Sequence, residues 1–366
     1  MSSTIDPRGW RGKGRKSEDA GVTTWSRPPV VHVSPLGHNG RVSEREHVDG
    51  PLIDMAAVEP KRFQVLALEG GGLKGIFAAA ALAEFEADFG TKIVNHFDLI
   101  TGTSTGGLIA LGLASGHSPE QIVQFYLDKG RKIFPTSAVK RLRRLRRPYD
   151  PAPLRGALET MFGSLTLADS DVRLAIPSFD QTSNDVYLFR TPHHVNLRRD
   201  HRELLVDVGL ATSAAPTFLP AHQHRGLRLI DGGVWANNPT MVGMVEALAV
   251  CNAPSAAIHI LTIGTTTEVV HRPDRLDNGS PLWWIRAVVD VAFRGQALAA
   301  SNHARLTLGE ERVHRVDVQL PPGLHALDRV DAGNLMGHAR AVSRKATPAL
   351  AYLFDHDASL YDKANL

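Results

Sequence analysis

Ser104 lies at the centre of Gly102-Thr103-Ser104-Thr105-Gly106, a GxSxG pattern. A serine hydroxyl serves as a nucleophile when it projects from a tight turn beside a base, and its neighbours must then be small. Gly70-Gly71-Gly72-Leu73-Lys74-Gly75 is a second candidate. Consecutive glycines leave backbone amides unobstructed, as an oxyanion hole for acyl transfer requires. The same residues fit GxGxxG through Gly70, Gly72 and Gly75. A dinucleotide site, however, wants an acidic residue ending the next strand, about twenty positions on. Asp98 instead precedes Leu99-Ile100, and the GxSxG element ends that strand, so the oxyanion reading is preferred. The third candidate is Asp231-Gly232-Gly233, following Leu227-Arg228-Leu229-Ile230. An aspartate there sits where open α/β sheets place their sites. Each element alone is also readable as an ordinary glycine turn. Their joint occurrence at strand ends is the stronger signal.

The elements that must position these residues follow from hydrophobic pattern and punctuation. Phe63 to Leu68 reads as a short buried strand and Gly75 to Asp88, rich in Ala, Leu and Phe, as a helix. Phe97 to Ile100 reads as the strand before Ser104, with a small-residue helix after it to about Ala114. Ser118 and Pro119 predict the start of the next helix, with Glu120 supporting its first turn. Asp150 and Pro151 predict the cap and first turn of a helix to Met161. Strands are expected at 172–177, 186–190, 227–230 and 257–263, and helices at 239–250, 281–308 and 331–354. This alternation predicts an α/β fold with a mostly parallel sheet flanked by helices.

Composition narrows the function classes. The 366 residues carry 41 basic and 38 acidic side chains, a formal charge of +3. So small an excess does not point to a nucleic-acid polymer as partner. No apolar stretch approaches the roughly 18 residues of a membrane span. Cys251 is the sole cysteine, which excludes an intramolecular disulfide and CxxC motifs and fits a reducing compartment. Residues 1–60 hold scattered prolines, glycines and mixed charge without apolar period. They read as a mostly disordered extension or a misassigned start, with no secretory h-region.

Taken together, these motifs resemble the patatin-like phospholipase family, which is marked by a GGGx(R/K)G turn, a GxSxG elbow and a DG(G/A) element in that order. Ala211-Thr212-Ser213-Ala214-Ala215-Pro216-Thr217-Phe218-Leu219-Pro220 and Asp231-Gly232-Gly233-Val234-Trp235-Ala236-Asn237-Asn238-Pro239 also look like family blocks. The resemblance covers roughly 63–265. It implies a three-layer patatin-like fold over 61–355 and a serine–aspartate dyad. Ser104 would be the nucleophile and Asp231 the base. Gly71 and Gly72 would form the oxyanion hole, with Leu73 and Lys74 adding to it. Gly70, Gly75, Gly102, Gly106, Gly232 and Gly233 would support the turns. Lys74 stands where many relatives carry arginine, which keeps the charge but loses bidentate geometry. The implied chemistry is hydrolysis of a carboxylic ester in a membrane lipid through an acyl-serine, with no cofactor. The chain is also compatible with a bacterial branch whose effectors are switched on by a cyclic oligonucleotide, although no nucleotide-binding motif is evident. The expected setting is the cytoplasm, peripheral at the inner face of the membrane, with homo-oligomerisation left open.

Two rival functions stay open on sequence. His259, His271, His303 and His314 all follow Asp231, so a Ser-Asp-His esterase or thioesterase is not eliminated by chain order. A non-catalytic lipid or nucleotide sensor on the same fold is the other. His222-Gln223-His224 has no carboxylate or thiolate partner at ligand spacing, so no metal is expected. The run Lys140 to Arg147, within a basic insert at 136–152, has six cations in eight residues. It reads as a solvated face, as a contact for anionic lipid, or as a nucleic-acid or nucleotide contact. Residues 266–355 read as a mainly helical part that packs on the sheet or covers the site, with Trp283 and Trp284 opening a long helix.

Overall fold

The computed structural model describes residues 61–135, 149–268, 281–321, 326–361 and 363. The extension 1–60 and the basic run 140–147 lie outside them. All described residues belong to one compact unit, Ala57–Leu366.

In chain order the elements are β1 (Phe63–Leu68), α1 (Gly75–Phe89), β2 (Leu99–Gly102), α2 (Thr105–Ala114), α3 (Pro119–Ile133) and α4 (Ala152–Phe162). Then come β3 (Arg173–Asp180), β4 (Asp185–Arg190), α5 (Leu205–Thr212), β5 (His222–His224), β6 (Leu227–Asp231), α6 (Gly233–Ala236) and α7 (Thr240–Ala249). The last are β7 (Ile258–Ile263), β8 (Thr267–Glu268), α8 (Pro281–Leu308), β9 (Val313–Val316), β10 (Gln319–Leu320) and α9 (Ala332–Leu350). Short 3₁₀ turns join several of them. Ser118 caps α3 in a reciprocal pair with Gln121.

The main sheet has the order β5-β6-β3-β2-β1-β7-β9, with β4 paired to β3. From β3 to β9 the path is parallel, whereas β4, β5 and β6 run antiparallel to their neighbours. Strand β1 explains the layering. Its alternate residues enter two cores: Leu66 and Leu68 pack with Phe77, Phe85 and Leu111 on one face, and Val65 and Ala67 with Met244, Ala247 and Ala304 on the other. A strand apolar on both faces belongs between two helical layers. The C-terminal third is not only helical, since Val313–Val316 extends the sheet beside β7.

The two ends of the strands differ. The carboxyl ends of β1 and β2 carry the glycine turn and Ser104. At the amino ends, Asp98 accepts hydrogen bonds from Gln64 N (2.8 Å), His356 Nε2 (2.7 Å) and Ser359 N (2.7 Å). The segment after α9 is thereby stitched beneath β1 and β2.

Candidate active site

Register brings the motifs to one level. Leu68 pairs with Gly102, so Gly70 and Ser104 each stand two residues beyond that rung. Thr101 pairs with Ala175, and Ser178, three residues on, pairs with Asp231. Asp231 reaches this level from an unexpected direction. Strand β3 overshoots the site, and β6 returns antiparallel along it, so the end of β6 arrives beside Ser104.

Ser104 occupies φ 55°, ψ −122°, between β2 and the first turn of α2. Few non-glycine residues adopt such a backbone, and this one aims the side chain out of the elbow. The turn closes so tightly that a Cβ on Gly102 would lie 2.2 Å from Gly106 O, and one on Gly106 2.2 Å from Leu68 O. That close approach accounts for both flanking glycines. The elbow is held from below by Thr212, which accepts from Ser104 N at 3.0 Å and donates to Pro177 O at 2.7 Å. The N-terminal dipole of α2 favours negative charge at this point.

Asp231 is 5% exposed. Burial pushes its carboxyl up to about 6, against the pull of the Ser104 hydroxyl and of Gly233 N, which donates to Oδ1 at 2.7 Å. A carboxylate so placed is poised to take a proton near neutral pH. Among the described residues no histidine is a hydrogen-bond partner of Ser104 or Asp231. His259 and His314 both contact the Tyr352 hydroxyl, and His356 serves Asp98.

The glycine turn lies against the nucleophile, since a Cβ on Gly70 would stand 3.4 Å from Ser104 Cβ. Its amides divide into two groups. Gly70 N donates to Asn237 O, Leu73 N to Leu327 O (2.8 Å) and Lys74 N to Gly71 O. Gly71 N and Gly72 N have no such partner among the described residues. Leu73 and Lys74, expected to add to the oxyanion hole, therefore have their amides engaged within the chain. The Lys74 ammonium donates to Thr266 O. Gly72 sits at φ +59° with Leu327 O 2.3 Å from where a Cβ would be, a place open only to glycine. Behind the turn, the Arg315 guanidinium bridges the Glu69 and Asp317 carboxylates.

Several of these positions escape sequence reasoning. Thr212 lies inside a quoted block but carries no mark of its role. Asn237 and Thr265 both reach Gly70 O, and Leu327 reaches Leu73 N, all through contacts distant in sequence.

The patatin-like phospholipase family profile matches residues 66–244. A "cGAMP-activated phospholipase" of Pseudomonas aeruginosa is 34% identical over 281 residues, covering 74% of this chain and 84% of that protein. The chain belongs to the patatin-like phospholipase family. A protein of the same description from Escherichia coli is 40% identical over 234 residues, 59% of this chain and 66% of the relative. The chain thus spans just under two thirds of that relative's length. Among solved structures, VipD from Legionella pneumophila aligns at 13% identity with a TM-score of 0.47, over 81% of this chain and 67% of that one. That likeness is too distant to add to the family assignment.

Proposed function

We propose that this protein is a phospholipase A-type lipid acyl hydrolase that cleaves carboxylic esters of membrane phospholipids with a Ser104–Asp231 dyad. The observation that carries the reading is a buried aspartate, its carboxyl pushed up to about 6, facing a serine on a strand-to-helix elbow.

In the first half-reaction the Ser104 hydroxyl proton passes to Asp231 as Oγ attacks the ester carbonyl. The carbonyl oxygen becomes an oxyanion, which the Gly71 and Gly72 amides and the N-terminus of α2 stabilise. The intermediate collapses, the acyl–oxygen bond breaks, and Asp231 returns the proton to the departing alcohol. Acyl-Ser104 remains. Water then attacks it, Asp231 takes a proton from the water, and the serine leaves reprotonated with release of the fatty acid. The chain's own residues supply every proton transfer.

The names of the relatives motivate a further part of the reading, that a cyclic dinucleotide raises this activity. Membrane contact is peripheral in this reading, and no described helix is long and apolar enough to cross a bilayer.

Fatty-acid release from phospholipid vesicles by wild type, Ser104→Ala and Asp231→Ala tests the proposal, with and without cyclic dinucleotides and with a soluble ester in parallel. Release by wild type and loss in both variants is expected. Folded wild-type protein without turnover under every condition would replace the enzyme with a sensor on the same fold.

A further inference from the structure

Away from the serine, the structure brings together three side chains that the sequence keeps apart. His222 and His224 occupy alternate positions of β5, the edge strand of the main sheet, so both project from the same face. Their rings stack with centroids 5.8 Å apart. Asp207, in the first turn of α5, lies against them. Its Oδ1 is 3.2 Å from His222 Nε2 and its Oδ2 is 4.0 Å from His224 Nδ1. Donor atoms of the three residues all lie within 4.8 Å of one another.

We propose that Asp207, His222 and His224 form a binding site for one zinc-class divalent cation, which clamps the first turn of α5 to the β5–β6 edge.

Two histidines and a carboxylate are a usual ligand set for such an ion, with solvent completing four-fold coordination. Donors 2.0–2.1 Å from a tetrahedral zinc stand about 3.3 Å apart; the His222–Asp207 pair is at that spacing, and His224 Nδ1 stands farther out, at 4.0 Å from Asp207 Oδ2, and would close in on the ion. An independent observation points the same way. The His222 side chain is 9% exposed, and among the described residues its Nε2 faces only the Asp207 carboxylate, 3.2 Å away and poorly aligned with it. A buried imidazole nitrogen turned toward a carboxylate with poor hydrogen-bond alignment leaves room for a cation between them. The outer partners are also in place. His224 Nε2 meets Glu203 Oε2 at 2.5 Å, which leaves Nδ1 as the lone-pair nitrogen on the Asp207 side. A carboxylate behind a ligating histidine fixes its tautomer and orientation. Two cations oppose the site: Arg155 at 3.6 Å from Asp207 Oδ1 and Arg225 at 3.0 Å from Glu203 Oε1. Both side chains are largely open to solvent, at 44% and 64%, and can swing aside.

The elements joined are those that hold the serine site. Helix α5 ends at Thr212, which supports Ser104 N, and Ala214 just after it accepts from Asp231 N at 3.0 Å. Strand β5 leads through a short turn into β6 and Asp231. The ion's role is therefore to hold the frame of the site, and its test is independent of turnover.

The full chain, stripped with a chelator, is titrated with cobalt(II) and then with zinc. The expected result is visible d–d bands of tetrahedral cobalt at one ion per chain, displaced by zinc, with a rise in the thermal midpoint on zinc binding. His222→Ala and the near-isosteric Asp207→Asn should weaken binding at least about tenfold, as should Glu203→Gln. His314→Ala should leave it unchanged. Arg155→Ala should tighten it, a sign that a plain His–Asp–Arg ion-pair cluster would not give. Wild type without cobalt bands or a midpoint shift would overturn the proposal, as would binding that survives both Asp207→Asn and His222→Ala.

Discussion

Two aspartates on the β3–β6 ladder are almost equally buried, Asp180 at 3% exposed and Asp231 at 5%. Asp180 pairs with Leu229, and Asp231, two residues further along β6, with Ser178. Their hydrogen-bond environments are opposite. Burial pushes Asp180 up, but the Ser183 hydroxyl and the amides of Thr182, Ser183 and Arg228 outweigh it and hold the carboxyl far below the usual carboxylate range. Among the described residues Asp231 has only Ser104 and one amide, and burial prevails. A carboxylate covered with donors is structural. One left short of them, with a hydroxyl in front of it, has the character that the proposed mechanism asks of its base.

The largest expected effect would break the comparison outright if absent. Ser104→Ala and Asp231→Asn should each lower kcat for ester hydrolysis by at least about 10³-fold. Asp180→Asn should leave kcat within a few-fold and lower stability by about 1–3 kcal/mol in urea unfolding. Comparable kinetic losses in the Asp180 and Asp231 variants would erase the distinction.

The pH profile sharpens it. Asp231 must be deprotonated to accept the serine proton, so kcat/KM on a soluble ester should fall with acid through about pH 6, tenfold per unit below it. A profile flat down to pH 4.5 would exclude Asp231 as the base.

Gly72→Ala examines the other side of the serine. Positive φ and the Leu327 carbonyl both oppose a Cβ, so a loss of about 1–3 kcal/mol in stability is expected, with a fall in kcat as the turn shifts. Wild-type kcat in this variant would detach the glycine turn from the chemistry.

Asp231 should also affect stability with a definite sign. Its folded pKa, about 6, lies above the unfolded value near 3.8, so the folded state binds the extra proton. The contribution is fully favourable below the unfolded pKa and is lost as pH rises through 6. Asp231→Asn should therefore stabilise the protein by about 1–3 kcal/mol at pH 8 relative to its effect at pH 4. Unfolding curves at the two pH values would show it. The smallest effect is expected at Thr212→Val, which removes the acceptor for Ser104 N. It should lower kcat by about tenfold or less, with little change in KM.

Much of this arrangement was legible from residue types alone. Phe63–Leu68 declares a strand by its apolar run, Ser118 a helix start by its cap, and Ser104 an elbow by the glycines around it. What pattern does not carry is direction and distant pairing. Leu227–Ile230 reads as a strand, yet nothing in its composition says that it runs antiparallel to β3. His222–His224 and Val313–Val316 are too short and too polar to stand out as strands. Asp207 is separated from His222 by 14 residues, so the carboxylate missing from that histidine pair on sequence came only with the fold. The amides of Leu73 and Lys74 illustrate the same limit, because their engagement depends in part on Leu327, more than 250 positions away.

The stitch at Asp98 has a consequence for the order in which the protein is made. A ribosome delivers Gly71, Ser104 and Asp231 long before His356 and Ser359. Until those two emerge, Asp98 lacks two of its three protein donors and the segment that covers it, and water takes their place. The amino ends of the two central strands are thus the last part of the sheet to receive their partners.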